Sequence, residues 1–188
     1  MNNKTKKMVG IGLFTAIVVV LQLLGGGLRF GVFSISLVLV PIVVGAAVYG
    51  WGAGAWLGFA FGVTVLLSGD AGAFLAVDPL ATVLVVLLKG TLCGLCAGAV
   101  YKLAAQWNKT VAVLCAAVVC PAVNTGIFLL GCQFFFLETV TEWAALYGYA
   151  DAVSYMFLGL AGFNFLIELA VNLVLAPVIT RLIDLGKR

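Results

Sequence analysis

Residues 78–104 read DPLATVLVVLLKGTLCGLCAGAVYKLA. Between Pro79 and Tyr101 the stretch carries one charge, Lys89, and its length and apolarity predict an α-helix crossing a bilayer, which takes roughly 20 residues. Asp78 followed by Pro79 predicts an N-cap and a first-turn proline, and that start sets the depth of everything after it. Lys89 then lies roughly 13 to 15 Å below the outer surface at 1.5 Å rise per residue. An ammonium at that depth costs at least about 2.5 to 3.5 kcal/mol on insertion scales, so it must face the bundle interior, water or a counter-ion. Gly90, Gly94 and Gly98 repeat every four residues on a different face. In lipid such a seam lets backbones approach closely.

The rest of the chain has the same character. It is 188 residues long, 64% hydrophobic and 9% charged, against about 25% charged in soluble domains. Apolar runs predict helices near 8–24, 33–49, 53–67, 80–104, 111–136 and 153–183, and six spans of roughly 20 residues leave only short connections. The expected fold is an all-α integral membrane protein, a compact bundle of six transmembrane helices forming a single domain over 1–188. Lys4, Lys6 and Lys7 precede the first run like the start of a signal peptide. That run exceeds a usual signal h-region and no A-x-A site follows, so it is expected to stay as a helix. Gly50, Gly54, Gly58 and Gly62 form a second four-residue glycine repeat, through the third helix.

Charge gives the direction. With the N-terminus inside, Lys4, Lys6, Lys7, Lys102, Lys109, Arg181, Lys187 and Arg188 are all cytoplasmic, and only Arg29 lies outside. The positive-inside rule therefore predicts a multi-pass cell-membrane protein with both termini cytoplasmic. Asp70, Asp78, Glu138, Glu142 and Asp151 fall in the outer connections. Ten Lys plus Arg without a basic patch exclude nucleic acid as a partner.

Histidine is absent, which removes the commonest general base and metal ligand near neutral pH. The five cysteines lie in apolar runs, where they read as small hydrophobic residues. Cys93 and Cys96 make one C-x2-C with no second pair, weak support for a metal or redox site. No cofactor or metal is expected, and catalysis is disfavoured.

The sixth helix carries Asn164, Glu168 and Asn172 at four-residue spacing, a polar stripe through the membrane interior. Asn124 of the fifth helix reaches a similar level, just after Pro121, whose missing N–H frees the carbonyl of Ala117. Together with Lys89 these residues predict one polar layer shared by three helices. The layer can be a Lys89–Glu168 ion pair with amides fastening helices, or a ligand site. Convergence of three helices with more polar groups than one ion pair needs favours the site. Arg29 after Gly25-Gly26-Gly27 is a further candidate ligand contact. The segment 138–151, with Trp143, Tyr147 and Tyr149, either closes over the site or anchors at the interface.

The whole chain resembles the substrate-binding S components of energy-coupling factor (ECF) vitamin transporters. The resemblance rests on the six short spans, the Gly12-Leu13-Phe14-Thr15-Ala16 element and the Leu39-Val40-Pro41-Ile42-Val43-Val44-Gly45-Ala46 stretch running into the Gly-rich third helix. Leu88-Lys89-Gly90 and Glu168-Leu169-Ala170-Val171-Asn172-Leu173 add to it. It implies high-affinity capture of a vitamin or similar micronutrient, closest to pantothenate or flavin-type members. It also implies partners, a transmembrane coupling subunit and two ATPase subunits, and a subunit that topples in the membrane to deliver its cargo. The small-x3-small pair Gly12 and Ala16 would meet the coupling subunit; the family more often has Ala at both positions. No G-x4-G-K-[ST] phosphate loop is present, in line with a borrowed motor. Two other readings stay open: a self-sufficient proton-coupled secondary transporter using Glu168, and a membrane enzyme with Lys89 or a cysteine as nucleophile.

Overall fold

The computed structural model describes residues 3–27, 29–30, 33–34 and 37–186. It is a helical bundle in which α1 (Asn3–Gly27) leads into a short antiparallel pair, β1 (Arg29–Phe30) and β2 (Phe33–Ser34), with Arg29 opposite Ser34. There follow α2 (Leu39–Tyr49), α3 (Trp51–Ser68), α4 (Gly72–Val77), α5 (Pro79–Ala104), α6 (Lys109–Phe135) and α7 (Leu137–Leu146). The chain ends with α8 (Ala152–Ser154), a wide π-helical stretch over Tyr155–Gly162, α9 (Phe163–Val174) and α10 (Ala176–Gly186). Among the described residues five helical segments are long and apolar enough to cross a membrane, and α2 is a shorter apolar helix.

The helix expected over 33–49 occupies only Leu39–Tyr49. Phe33 and Ser34 pair with the preceding strand instead, where β-branched and hydroxyl-bearing neighbours in FSIS favour extended backbone. Eleven residues span roughly 17 Å, too little for the hydrocarbon. Eight of them are buried, so α2 sits inside the bundle, apolar all round as an enclosed helix should be. Gly50 separates it from α3 with φ 99°, a conformation that suits glycine alone. The last predicted helix is interrupted as well: its first half widens into the π stretch and it breaks at Leu175 before α10.

Asp78 caps α5, accepting from the Ala81 N–H at 3.0 Å with Pro79 in the first turn. Asn108 caps α6 in the same manner, accepting from Thr110 at 2.8 Å. The two glycine repeats face each other. A Cβ on Gly54 would meet the Gly94 carbonyl and one on Gly58 the Gly90 carbonyl, and the reverse holds for both pairs. A Cβ on Gly62 would lie 2.9 Å from the Val86 carbonyl oxygen. The α3–α5 seam is thus backbone against backbone, which gains dispersion contacts that side chains in lipid cannot gain by apolar burial alone.

The main core joins α2, α3, α5, α6 and α10 through Leu39, Ile42, Leu57, Ala97, Val113 and Ile179. Lys109 Nζ lies 3.6 Å from Asp184 Oδ1, tying the start of α6 to the end of α10. A second core around Phe136, Val140, Ala144 and Tyr155 closes the opposite end. α1 lies along the outside, with Val18 and Gln22 its buried contacts.

Candidate ligand site

Each polar residue of the layer stands where a different helix delivers it. The cap at Asp78 fixes the position of Lys89 on α5. Its ammonium lies over two aromatic faces, 6.0 Å from the ring centre of Phe61 on α3 and 5.3 Å from that of Phe128 on α6. Such faces attract a cation most strongly when water is excluded. Lys89 is set deep among protein atoms, and the residue as a whole is half-buried.

Glu168 on α9 is buried and lies in the field of Lys89. Among the described residues the two do not close to an ion pair. Asn124 on α6 stands beside the Glu168 carboxyl. Asn172, fully buried one turn further along α9, donates its Nδ2 to the Glu168 backbone carbonyl at 2.8 Å. Asn164 sits one turn before Glu168 on the same stripe. The Oδ1 atoms of Asn124, Asn164 and Asn172 are all buried without a hydrogen-bond partner. Buried polar atoms are normally satisfied, so these three acceptors, spread along α9 and on α6, are open to donors from water or from a guest.

The structure therefore brings Lys89, Asn124 and Glu168 together, with Asn164 and Asn172 on the same stripe above and below Glu168. The side chain of Arg29 lies outside the described residues. Gly12 and Ala16 are exposed on the outer side of α1, and a Cβ on Gly12 would meet nothing within 4 Å.

Several participants carried no usable signal in the sequence. Phe61 and Phe128 are two of thirteen phenylalanines. Gln22 Nε2 donates to Asp70 Oδ2 at 2.7 Å and Ser68 Oγ to the same oxygen at 2.8 Å, and the Asp70 carboxylate adds to the field at Lys89. Phe74 of α4 forms edge contacts with Phe128, Phe136 and Trp143, with ring centres 5.6, 5.1 and 5.2 Å apart. Of these rings Phe128 also lies against the Lys89 ammonium. Tyr147 and Tyr149 both contact Tyr155, at 5.7 and 5.1 Å.

The cysteines are all free, with Cys93, Cys120 and Cys132 buried. Cys93 and Cys120 meet across α5 and α6, and Cys93 Sγ also contacts the Gly90 carbonyl at 3.0 Å. Among the described residues no three ligating side chains cluster.

Comparison with known proteins adds two findings. A family model described as ECF transporter, substrate-specific component, matches residues 6–180. Among solved structures the chain is similar to ThiT from Listeria monocytogenes, with a TM-score of 0.70 over 98% of this chain and 96% of that one, at 17% sequence identity. At that identity the likeness is one of fold. No curated protein matches the sequence.

Proposed function

The chain belongs to the substrate-specific components of ECF transporters, and from that premise we propose that its polar layer captures a vitamin or related micronutrient. It is a transporter's substrate-binding subunit and not an enzyme. One observation carries the placement of the pocket: three buried side-chain amide oxygens without partners, on two helices, beside Lys89 and Glu168. A helix-fastening network would pair its own groups, because an unmet buried acceptor costs about 1–3 kcal/mol.

The binding set is Lys89, Asn124, Asn164, Glu168 and Asn172, with Arg29 as a candidate from the outer connection. Phe74, Phe128 and Trp143 roof it, and entry is from the outer side. Both termini face the cytoplasm. This is supported by the positive residues and by the shared end that holds Lys102, Lys109 and Arg181, all exposed.

Energy comes from a separate transmembrane coupling subunit with two ATPase subunits. Gly12 and Ala16 form the contact with the coupling subunit, supported by their bare, side-chain-poor surface on α1. A close helix crossing there gains packing that bulkier residues would prevent. The test is mass spectrometry of the small molecule that co-purifies with the detergent-solubilised protein. A stoichiometric vitamin is the expected result, and its loss in Lys89→Ala would assign it to this layer.

A further inference from the structure

We propose that α4 is a hinged flap and that Phe74, its ring in the outer aromatic cluster, is the stopper that closes the route from outside to the Lys89 layer. The proposal rests on the substrate-capture reading above and adds how the cargo gains entry.

One ring makes the stopper. Phe128, Cys132 and Phe136 follow at four-residue spacing along α6 and its C-terminal end, so they share a face. Phe74 meets Phe128 at 87° and Phe136 at 71°, both edge contacts, and packs against the cluster that holds Cys132. It therefore bridges two turns of α6 and lies over Cys132, which is only 1% exposed. Trp143 of α7 meets the same ring at 69°. Gly131 of α6 packs on Val85 of α5, a register that sets Phe136 near the start of α5 and Phe128 near Lys89. Phe128 lies against the Lys89 ammonium, and Phe74 stands one ring further out.

What holds α4 makes it a flap. None of its six residues is buried. Phe74 packs on the second core and Leu75 on the main one. By contrast α7, which brings Trp143, buries Val140 and Ala144. A segment with few buried apolar contacts opens at a lower free energy than the elements around it.

Both ends of the flap are moored. Asp70 Oδ2 accepts from Gln22 Nε2 and Ser68 Oγ, and Asp78 caps α5. Between these moorings Gly72 opens α4 with free space where a Cβ would stand, and Asp78 closes it in extended backbone at φ −143°. Element-terminal positions of this kind absorb the dihedral change of a hinge. Turning α4 about them lifts Phe74 off Phe128 and Phe136 and leaves α5, α6 and α7 in place.

Cys132 is a built-in reporter of that motion. The full chain in detergent is treated with MTSET, a cationic thiol reagent that needs water to reach its target, and labelling at each cysteine is followed by peptide mass spectrometry. Cys132 should react slowly in the parent and at least roughly 10-fold faster in Phe74→Ala. Leu75→Ala loosens α4 from the main core and leaves every ring in place, so Cys132 should react roughly 5-fold faster or more there as well. Cys120, fully buried elsewhere on α6, should keep its parent rate in both variants and so reports an intact fold.

Unchanged labelling of Cys132 in a folded Phe74→Ala protein would overturn the stopper. Faster labelling in Phe74→Ala but not in Leu75→Ala would overturn the flap. If Phe74→Ala does not fold, Phe74→Leu, which keeps bulk and loses the ring edges, is judged by the same criterion. Each of these results leaves vitamin capture standing. A purified protein that carries no small molecule overturns the capture reading, and this inference with it.

Discussion

Gly58 and Gly90 approach so closely across α3 and α5 that a Cβ on either would overlap the other's carbonyl oxygen. The obstacle is backbone, which cannot rotate away. Gly58→Ala or Gly90→Ala should therefore destabilise the protein by about 1–3 kcal/mol, the scale of overpacking, seen as a lower Tm in detergent. Gly52→Ala, where a Cβ meets nothing within 4 Å, should leave Tm unchanged or raise it slightly. Equal Tm in all three variants would remove the seam as a stabilising feature.

Lys89→Ala and Asn164→Ala should weaken capture of the co-purifying molecule while the folded fraction stays high. Losing one hydrogen bond to a charged group costs about 1.5–3 kcal/mol, or roughly 10-fold to 100-fold in Kd. Calorimetry on ligand-stripped protein, run beside a thermal melt, separates the outcomes. Unchanged affinity with a lower Tm would return the layer to a helix-fastening role.

On the outer side of α1, Gly12→Leu adds a bulky side chain into open space. Binding and stability should match the parent, and assembly with the coupling subunit should be lost. Co-purification of the complex reads the second point. An intact complex would move the docking surface elsewhere.

Reconstituted alone in vesicles under an imposed pH gradient, the protein should give no uptake, and adding the coupling and ATPase subunits with ATP should restore it. Proton-driven uptake by the lone chain would instead favour Glu168 as a proton carrier.

At the start of the last long helix, Asp151 accepts from the Ser154 N–H at 2.6 Å, and this bond holds its carboxyl below the ordinary aspartate value of 3.8. A depressed folded value means that the cap is present above the unfolded pKa and is lost as pH falls through the lowered one. Backbone hydrogen exchange at Ser154 should therefore rise only below about pH 3.8. Asp151→Asn keeps a capping acceptor and should flatten that pH dependence.

The glycine repeats were legible in the sequence because a four-residue period of small residues has one main physical use in lipid. The position of Lys89 along α5 was legible because Asp78-Pro79 marks a helix start independently of hydropathy. The start of α2 was not. Residues 33–38 are as apolar as a span, and only pairing with β1 takes Phe33 and Ser34 out of the helix. Phe61 and Phe128 were invisible for a different reason: nothing local distinguishes a phenylalanine facing a cation from one facing lipid. Gln22 stood alone in an apolar run, and its partner Asp70 lies 48 residues away.

The widened stretch Tyr155–Gly162 also acts as a phase-setter. A turn closing over five residues absorbs extra chain that an ordinary turn would express as rotation, so the azimuth of Asn164, Glu168 and Asn172 is inherited from it. Removing one residue there would swing the stripe by about 100° toward the acyl chains. Homologues should therefore tolerate substitutions within this segment far more readily than gaps.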